Sequence, residues 1–334
     1  MTPQVIAFFN NKGGVGKTSL VYHLAWMYRE LGASVLAADF DPQANLTAAF
    51  FDDDHLESLW SGSHHTRTVY GAIEPLLRGI GDIARSGIDQ VDDELNVLPG
   101  DLALSSFEDE LSTQWPQCLD GKERAFRVIS ALWRILETAA AQAEAHVVLV
   151  DVGPNLGAIN RAALIAADFV VVPLATDLFS LQGLRNLGPT LRRWRVEWRE
   201  RLGKAPDRTL ALPAGRMEPA GYVILQHAVR LDRPVRAYER WIARIPEVYR
   251  TDVLGEADAG TVKISEDPHC LDVVKHYRSL MSMAQEAKKP MFLLRAADGA
   301  LGAHGDAVQE CFHNFRRLAQ RIAERTGVVL PALT

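Results

Sequence analysis

The sequence predicts an open α/β fold of three layers, a twisted and mostly parallel sheet with helices packed on both faces. Two observations carry that expectation. Short, nearly continuous apolar runs at residues 5–9, 34–39, 146–151, 169–174 and 221–225 alternate with segments of helical periodicity. Runs of that kind suit strands buried on both faces of a parallel sheet. The first run also passes through glycines straight into a helical segment, and two others end in an aspartate, Asp39 and Asp151. Open α/β sheets place their ligands at such carboxyl edges.

The first strand leads into Asn10, Asn11, Lys12, Gly13, Gly14, Val15, Gly16, Lys17 and Thr18, and the next helix continues through Ser19 to about Leu31, where Gly32 caps it. A strand that turns through glycines into a helix aims several backbone N–H groups and the positive end of the helix dipole at one point, which makes a phosphate site. In such a loop Lys17 reaches the β- and γ-phosphates of a nucleotide and the Thr18 hydroxyl sits on Mg²⁺. The general P-loop pattern asks for a glycine where this chain has Asn11. A plain glycine-rich turn is the simpler reading, but strand, glycines, Lys-Thr and helix stand here in the required order.

Residues 39–47 follow the second strand. Asp39 and Asp41, two apart beside a phosphate loop, are expected to orient a water and tune a Mg²⁺ shell; the plainer alternative is an Asp-Pro turn. Asp151 ends an apolar strand, the usual place in a P-loop protein for the acid that holds Mg²⁺ through water. The glycines of residues 152–157 let that loop move with the γ-phosphate. Elsewhere helices are expected over 56–60, 69–77, 101–111 (capped by Asp101), 159–167 and 180–202, with Pro189 starting or kinking its second part. A long amphipathic helix is expected within 119–143, with Phe126, Ile129, Leu132, Trp133 and Leu136 as core. Residues 94–100 read as strand and turn. Residues 234–250 read as helical with a break at Pro246, and 271–287 and 307–325 as closing helices. With no repeat or linker, the expectation is one domain over 1–334, its helical C-terminal part at about 268–326 packed on the rest.

Composition narrows the functional classes. Nearly half of the 334 residues are apolar, enough for a large core. No apolar run approaches the roughly 20 residues of a membrane span, the first four residues lack a secretion signal's basic start, and Cys118, Cys270 and Cys311 are scattered without metal or disulfide spacing. A cytoplasmic protein is expected. The net charge of −6 is unevenly spread: residues 39–120 hold 17 acidic and 3 basic side chains, residues 185–250 hold 15 basic and 7 acidic. Such a separation points to one face that meets an anionic partner, or to solvated helical surfaces.

Lys12 through Thr18 resembles the deviant Walker A motif of the ParA/MinD ATPases, in which an extra lysine precedes the paired glycines; this accounts for Asn11. Asp39, Phe40, Asp41, Pro42 and Gln43 are similar to that family's second motif, and Val150, Asp151, Pro154 and Gly157 to its third, with Gly153 and Asn155 departing from it. The stretch 268–294, with Ala284, Lys289, Pro290 and Leu293, resembles the ParA side. The resemblance implies a three-layer P-loop NTPase fold that binds ATP and Mg²⁺ through residues Lys12, Gly13, Gly14, Val15, Gly16, Lys17, Thr18 and Ser19. It implies an ATP-dependent homodimer in which Lys12 reaches across to the partner's phosphates. Asp41 would orient the attacking water, Thr18, Asp41 and Asp151 would serve the metal, and a partner protein would stimulate slow hydrolysis.

Partition members of this family bind DNA non-specifically, and Min-type members bind membrane. Arg192, Arg193, Arg195 and Arg199, near Trp194 and Trp198, are the candidates for phosphate contacts; alternatively they pair with Glu197 and Glu200 at helical spacing. The last helix, with Val308, Phe312, Phe315 and Ile322 on one face, reads as packed rather than membrane-anchoring. A DNA-positioning switch associated with the nucleoid is therefore the expected function. An ATP-dependent ligase or synthetase on the same loop, or a regulatory ATPase of a multiprotein (for example defence) system, are the alternatives.

Overall fold

The computed structural model describes residues 2–62, 65–206, 209–225, 241–257, 260–300 and 302–331. Among them eight strands form one sheet, β1 (Gln4–Phe8), β2 (Val35–Asp39), β3 (Asp89–Asp92), β4 (Leu95–Leu98), β5 (Val147–Asp151), β6 (Phe169–Ala175), β7 (Glu218–Leu225) and β8 (Cys270–Val274). Their order is β3-β4-β2-β5-β1-β6-β7-β8, and every pairing is parallel except β3 with β4. The first strand thus lies between β5 and β6 in the middle of the sheet, where both edges of its backbone are paired.

Alternation along the central strands explains the two helical layers. Val5, Ala7 and Phe9 point into one core with Val148 and Val150, whereas Ile6 and Phe8 point into the other with Val147 and Leu149. The first core is roofed by α4 (Val69–Leu77), α5 (Phe107–Gln117), α6 (Glu123–Ile129), α7 (Ala131–Gln142), α8 (Ala158–Ile165) and α9 (Leu178–Leu202). The second lies under α1 (Lys17–Glu30), α2 (Asn45–Phe50), α3 (Asp53–Trp60) and the C-terminal helices Arg278–Ala287 and Ala303–Thr326. Phe8 is fully buried, so Phe8→Ala costs about 3–5 kcal/mol in lost transfer energy and cavity.

The structure corrects several expectations. The segment 268–326 opens with a strand, β8, not a helix: Cys270–Val274 joins β7 at the sheet edge, and pairing overrides a short run whose apolar residues also fit helical spacing. The acidic β3 was not expected at all. Its aspartates suit a strand poorly, and it is held by β4 and by the ion pairs Arg29–Asp92 and Arg67–Asp89. The helix expected within 119–143 is two, α6 and α7, meeting at Ser130, whose hydroxyl donates to the Phe126 carbonyl at 2.7 Å. Asp101 does cap, accepting from the Ala103 N–H at 2.8 Å, but it caps a 3₁₀ turn, Leu102–Ser106, that precedes α5. Pro189 lies inside the unbroken α9. Of the region 234–250, residues 234–240 lie outside the described residues; Pro246 falls in the first turn of the short helix Ile245–Val248, where proline is tolerated. A π-helical turn, Tyr249–Leu254, follows and packs on α9.

Candidate nucleotide site

The turn from β1 into α1 is made by Gly14 and Gly16 at φ of 70° and 86°, left-handed values that a side chain makes costly. Gly16 is the residue ahead of the helix, and no side chain caps it. The first N–H groups of α1 therefore face a cavity of about 330 Å³ lined by every residue from Lys12 to Ser19 together with Asp41, Gln43, Asn45 and Pro154. Helix dipole and open N–H groups make this cavity a site for anionic oxygen.

Lys17 and Thr18 converge on one acid. The Lys17 ammonium donates to Asp151 Oδ1 at 2.6 Å and the Thr18 hydroxyl to Asp151 Oδ2 at 2.7 Å. Asp151 is fully buried at the end of β5; burial pushes its carboxyl up, while the Lys17 charge and hydrogen bond oppose that rise. A threonine hydroxyl and two carboxylates, those of Asp151 and Asp41, are hard oxygen donors, the donor set that suits Mg²⁺.

The two aspartates of the second motif have separate fates, which corrects the expectation that both serve a water and a metal. Asp39 is opposite Asp151 in the β2–β5 register and turns away from the cavity. Its Oδ2 accepts from both the N–H and the hydroxyl of Thr47 at 2.8 Å, and that hydroxyl in turn accepts from the Gly100 N–H at 2.8 Å. Burial, reinforced by the Asp151 charge, raises its carboxyl to about 7. Gly100 is packed so closely that a Cβ there would lie 2.8 Å from Asp39 Cγ. Asp41 instead lines the cavity, with Oδ1 accepting from the Gln43 N–H at 3.0 Å.

Lys12 lines the same cavity, but its ammonium is bonded to Asp177. Asp177 also caps α9 by accepting from the Ser180 N–H at 2.9 Å. Burial pushes its carboxyl up, but the Lys12 and Ser180 hydrogen bonds outweigh this and leave it below the usual range. Next to this pair Leu178 and Phe179 are 47% and 71% exposed, a conspicuous apolar step beside the lysine.

The loop at residues 152–157 closes the far wall. Pro154 abuts Gly13, and Gly153 packs against Asp41. The buried Asn160 of α8 is bonded to the backbone of Gly153 and Asn155, while Glu108 of α5 accepts from the first N–H groups of α8. Sequence reading missed Asp177, Asn160 and Glu108. Asp177 has a local signal, an Asp-x-x-Ser cap ahead of a helix; the other two act across 50 residues or on backbone, where no motif marks them.

The arginines stand apart from the cavity, on α9. Arg192 is half-buried and donates to the carbonyls of Asp252 and Val253 in the π-helical turn. Arg195 is also half-buried, its Nε without a hydrogen-bond partner. Arg193, 3.9 Å from Glu197, and Arg199 are exposed. Trp194 and Trp198 are buried, which removes them as stacking surfaces.

Fold and site together define a P-loop nucleotide-binding protein whose extra lysine precedes the paired glycines. A family model described as "AAA domain" matches residues 3–203, and the chain belongs to that family, within its ParA/MinD-type ATPases. It is 32% identical over 199 residues to the chromosome partitioning protein ParA of Caulobacter vibrioides, a match that covers 60% of this chain and 66% of that protein. It is 30% identical to the cell division protein PomZ of Myxococcus xanthus over 55% of this chain and 50% of that one. The chain thus spans less than two thirds of the length of these relatives. In solved structures, protein DIP2308 from Corynebacterium diphtheriae superposes with a TM-score of 0.69 at 24% identity, over 97% of this chain and 98% of that one. The ATP complex of a McdA variant from Cyanothece has a TM-score of 0.60 at 13% identity, over 99% of each chain. These structural likenesses show the fold. No helix among the described residues is long and apolar enough to cross a membrane.

Proposed function

We propose that this protein binds Mg-ATP, dimerises around it and hydrolyses it slowly, as a switch that positions DNA or a DNA-linked cargo. The observation that carries the reading is the convergence of Lys17 and Thr18 on Asp151 at the uncapped head of α1. Nucleotide phosphates take over Lys17 and the open N–H groups. Thr18 and Asp151 hold the metal, which when bound neutralises charge on the β- and γ-phosphates. Beside this cavity an apolar cleft of about 300 Å³, lined by Gly16, Leu20, Leu225, Val274, Tyr277 and Phe315 among others, fits a purine. Asp41 orients the water. Lys12, once it leaves Asp177, reaches the phosphates of the second subunit, with Leu178 and Phe179 covered by the same contact. Family kinship with partition and positioning proteins supports the DNA-linked role, and the exposed Arg193 and Arg199 offer the phosphate contacts. A stimulating partner protein would set the turnover.

The test is nucleotide binding by calorimetry with and without Mg²⁺, followed by light scattering and phosphate release. Micromolar ATP binding, a dimer with ATP and turnover well below the 1–10³ s⁻¹ of typical enzymes are expected. A chain that neither binds ATP nor changes mass with it overturns the reading.

A further inference from the structure

Asn160 is 1% exposed and sits in the first turn of α8, just past the loop at residues 152–157. A buried primary amide has to find partners for two donor hydrogens and an acceptor oxygen, and here all of them are loop groups. Asn160 Oδ1 accepts from the Gly153 N–H at 3.1 Å. Its Nδ2 donates to the Gly153 carbonyl at 2.8 Å and to the Asn155 carbonyl at 2.7 Å. Gly153 is thereby gripped at both of its backbone polar groups by one side chain.

Gly153 also borders the site. A Cβ built there would lie 3.4 Å from Asn160 Nδ2 and 3.4 Å from Asp41 Oδ1, so the bare face of this glycine meets the amide and the carboxylate together. The next residue, Pro154, forms a wall of the phosphate cavity. The Asn160 bonds thus fix the backbone that meets Asp41 and continues directly into Pro154. A second tether acts on the loop's other end. Glu108 accepts from the N–H groups of Ala158 and Ile159 at 2.6 and 2.9 Å, a carboxylate bound to the head of α8. It lies so near Gly157 that a Cβ there would be 2.7 Å from Glu108 Oε1.

We infer that Asn160 is a positioning residue for hydrolysis: it holds Gly153 against Asp41 and so sets the carboxylate that orients the water, with Glu108 fixing the end of the same loop. The inference rests on the proposed ATPase function. It predicts a split between binding and turnover, because the phosphate cradle of residues 12–19 makes no contact with Asn160 among the hydrogen bonds described.

The experiment compares the full chain with Asn160→Ala, Asn160→Gln and Glu108→Ala. It measures Mg-ATP affinity by calorimetry, single-turnover hydrolysis per bound nucleotide, and amide hydrogen exchange of residues 152–157. Asn160→Ala is expected to bind ATP within about threefold of the parent, to hydrolyse bound ATP at least tenfold more slowly, and to exchange the Gly153 amide at least tenfold faster. Glu108→Ala, at a half-buried side chain, is expected to show the same split more weakly. Asn160→Gln, which keeps the amide but displaces it by a methylene, is expected to recover part of the rate. A parent that binds and hydrolyses ATP while both alanine variants hydrolyse it equally fast overturns this inference and leaves the ATPase reading standing. Equal losses of binding and turnover, with a parallel loss of folded protein in both variants, likewise overturn it in favour of a purely structural role. A parent with no nucleotide binding overturns the functional reading and this inference with it.

Discussion

Lys17 donates to Asp151 across 2.6 Å with both side chains buried, so the lysine that would meet a nucleotide's phosphates is already neutralised by an acid 134 residues away. A buried charge needs such a partner. A nucleotide phosphate would therefore compete with the Asp151 carboxylate for the lysine.

That competition sets the first prediction. Lys17→Ala removes the cavity's central cation and leaves Asp151 buried without its partner, so ATP affinity falls by on the order of 100-fold, about 3 kcal/mol. Asp151→Asn frees the lysine instead. In the absence of Mg²⁺ it should bind ATP at least as tightly as the parent, and with Mg²⁺ it should lose most of its hydrolysis. Calorimetry with and without the metal checks both.

Asp41 lines the cavity whereas Asp39 is consumed by Thr47. Asp41→Ala is therefore expected to keep nucleotide binding, stop hydrolysis and accumulate an ATP dimer of about twice 36.9 kDa in light scattering. Lys12→Ala is expected to retain part of the binding and lose hydrolysis. Asp39→Ala behaves differently: it unfastens Thr47 and the turn at Gly100, and is read as a lower melting temperature. A monomer for Asp41→Ala at saturating ATP argues against the dimer.

The arginine helix divides into Arg192, spent on two backbone carbonyls, and the exposed Arg193 and Arg199, the first of them 3.9 Å from Glu197. Replacing Arg192 would unclamp the Asp252 and Val253 carbonyls, so the clean test of DNA binding is Arg193→Glu with Arg199→Glu. Fluorescence anisotropy with an unrelated duplex should show ATP-dependent binding by the parent, weakened at least tenfold in the double variant. The salt slope should fall by roughly 0.9 for each phosphate contact removed. ATP hydrolysis without DNA should be unchanged. Equal anisotropy for parent and variant assigns these arginines to the helix surface alone.

His23, one helical turn past the cavity residue Ser19, gives a pH prediction for stability. It is buried in α1, with Nδ1 2.7 Å from the Ser19 carbonyl and Nε2 accepting from the Met291 N–H at 3.1 Å. Burial, against the opposing Ser19 bond, lowers it to about 4. The unfolded chain takes up the proton near 6.5 and the folded chain does not, so stability is full above that value and is lost as pH falls from about 6.5 towards 4, by about 3 kcal/mol. Melting temperatures at pH 7 and pH 5 should diverge less for His23→Gln than for the parent.

What the amino-acid sequence determined by itself was the local grammar of the site. Apolar runs, glycines with left-handed backbone and a Lys-Thr pair at a helix start are adjacent in the chain, so β1, the phosphate turn and α1 were legible from neighbours alone. So were the aspartates at strand ends, because a parallel sheet puts every such end on one edge. Tertiary structure decided what depends on residues far apart. The sheet order set Asp151 onto Lys17, and Asp177 onto Lys12 from 165 residues away. Packing against Gly100 turned Asp39 inward and left Asp41 to the cavity. Burial took Trp194 and Trp198 out of reach of any ligand, Trp198 being stacked on Trp115 of α5 and set beside Phe126 of α6. Pairing with β7 drew in β8, whose apolar run fits a helix as well, and pairing with β4 drew in the acidic β3, whose aspartates suit a strand poorly. Each of these outcomes reflects which surfaces meet, and a hydrogen bond or a buried face reads the same in the sequence whichever partner it finds.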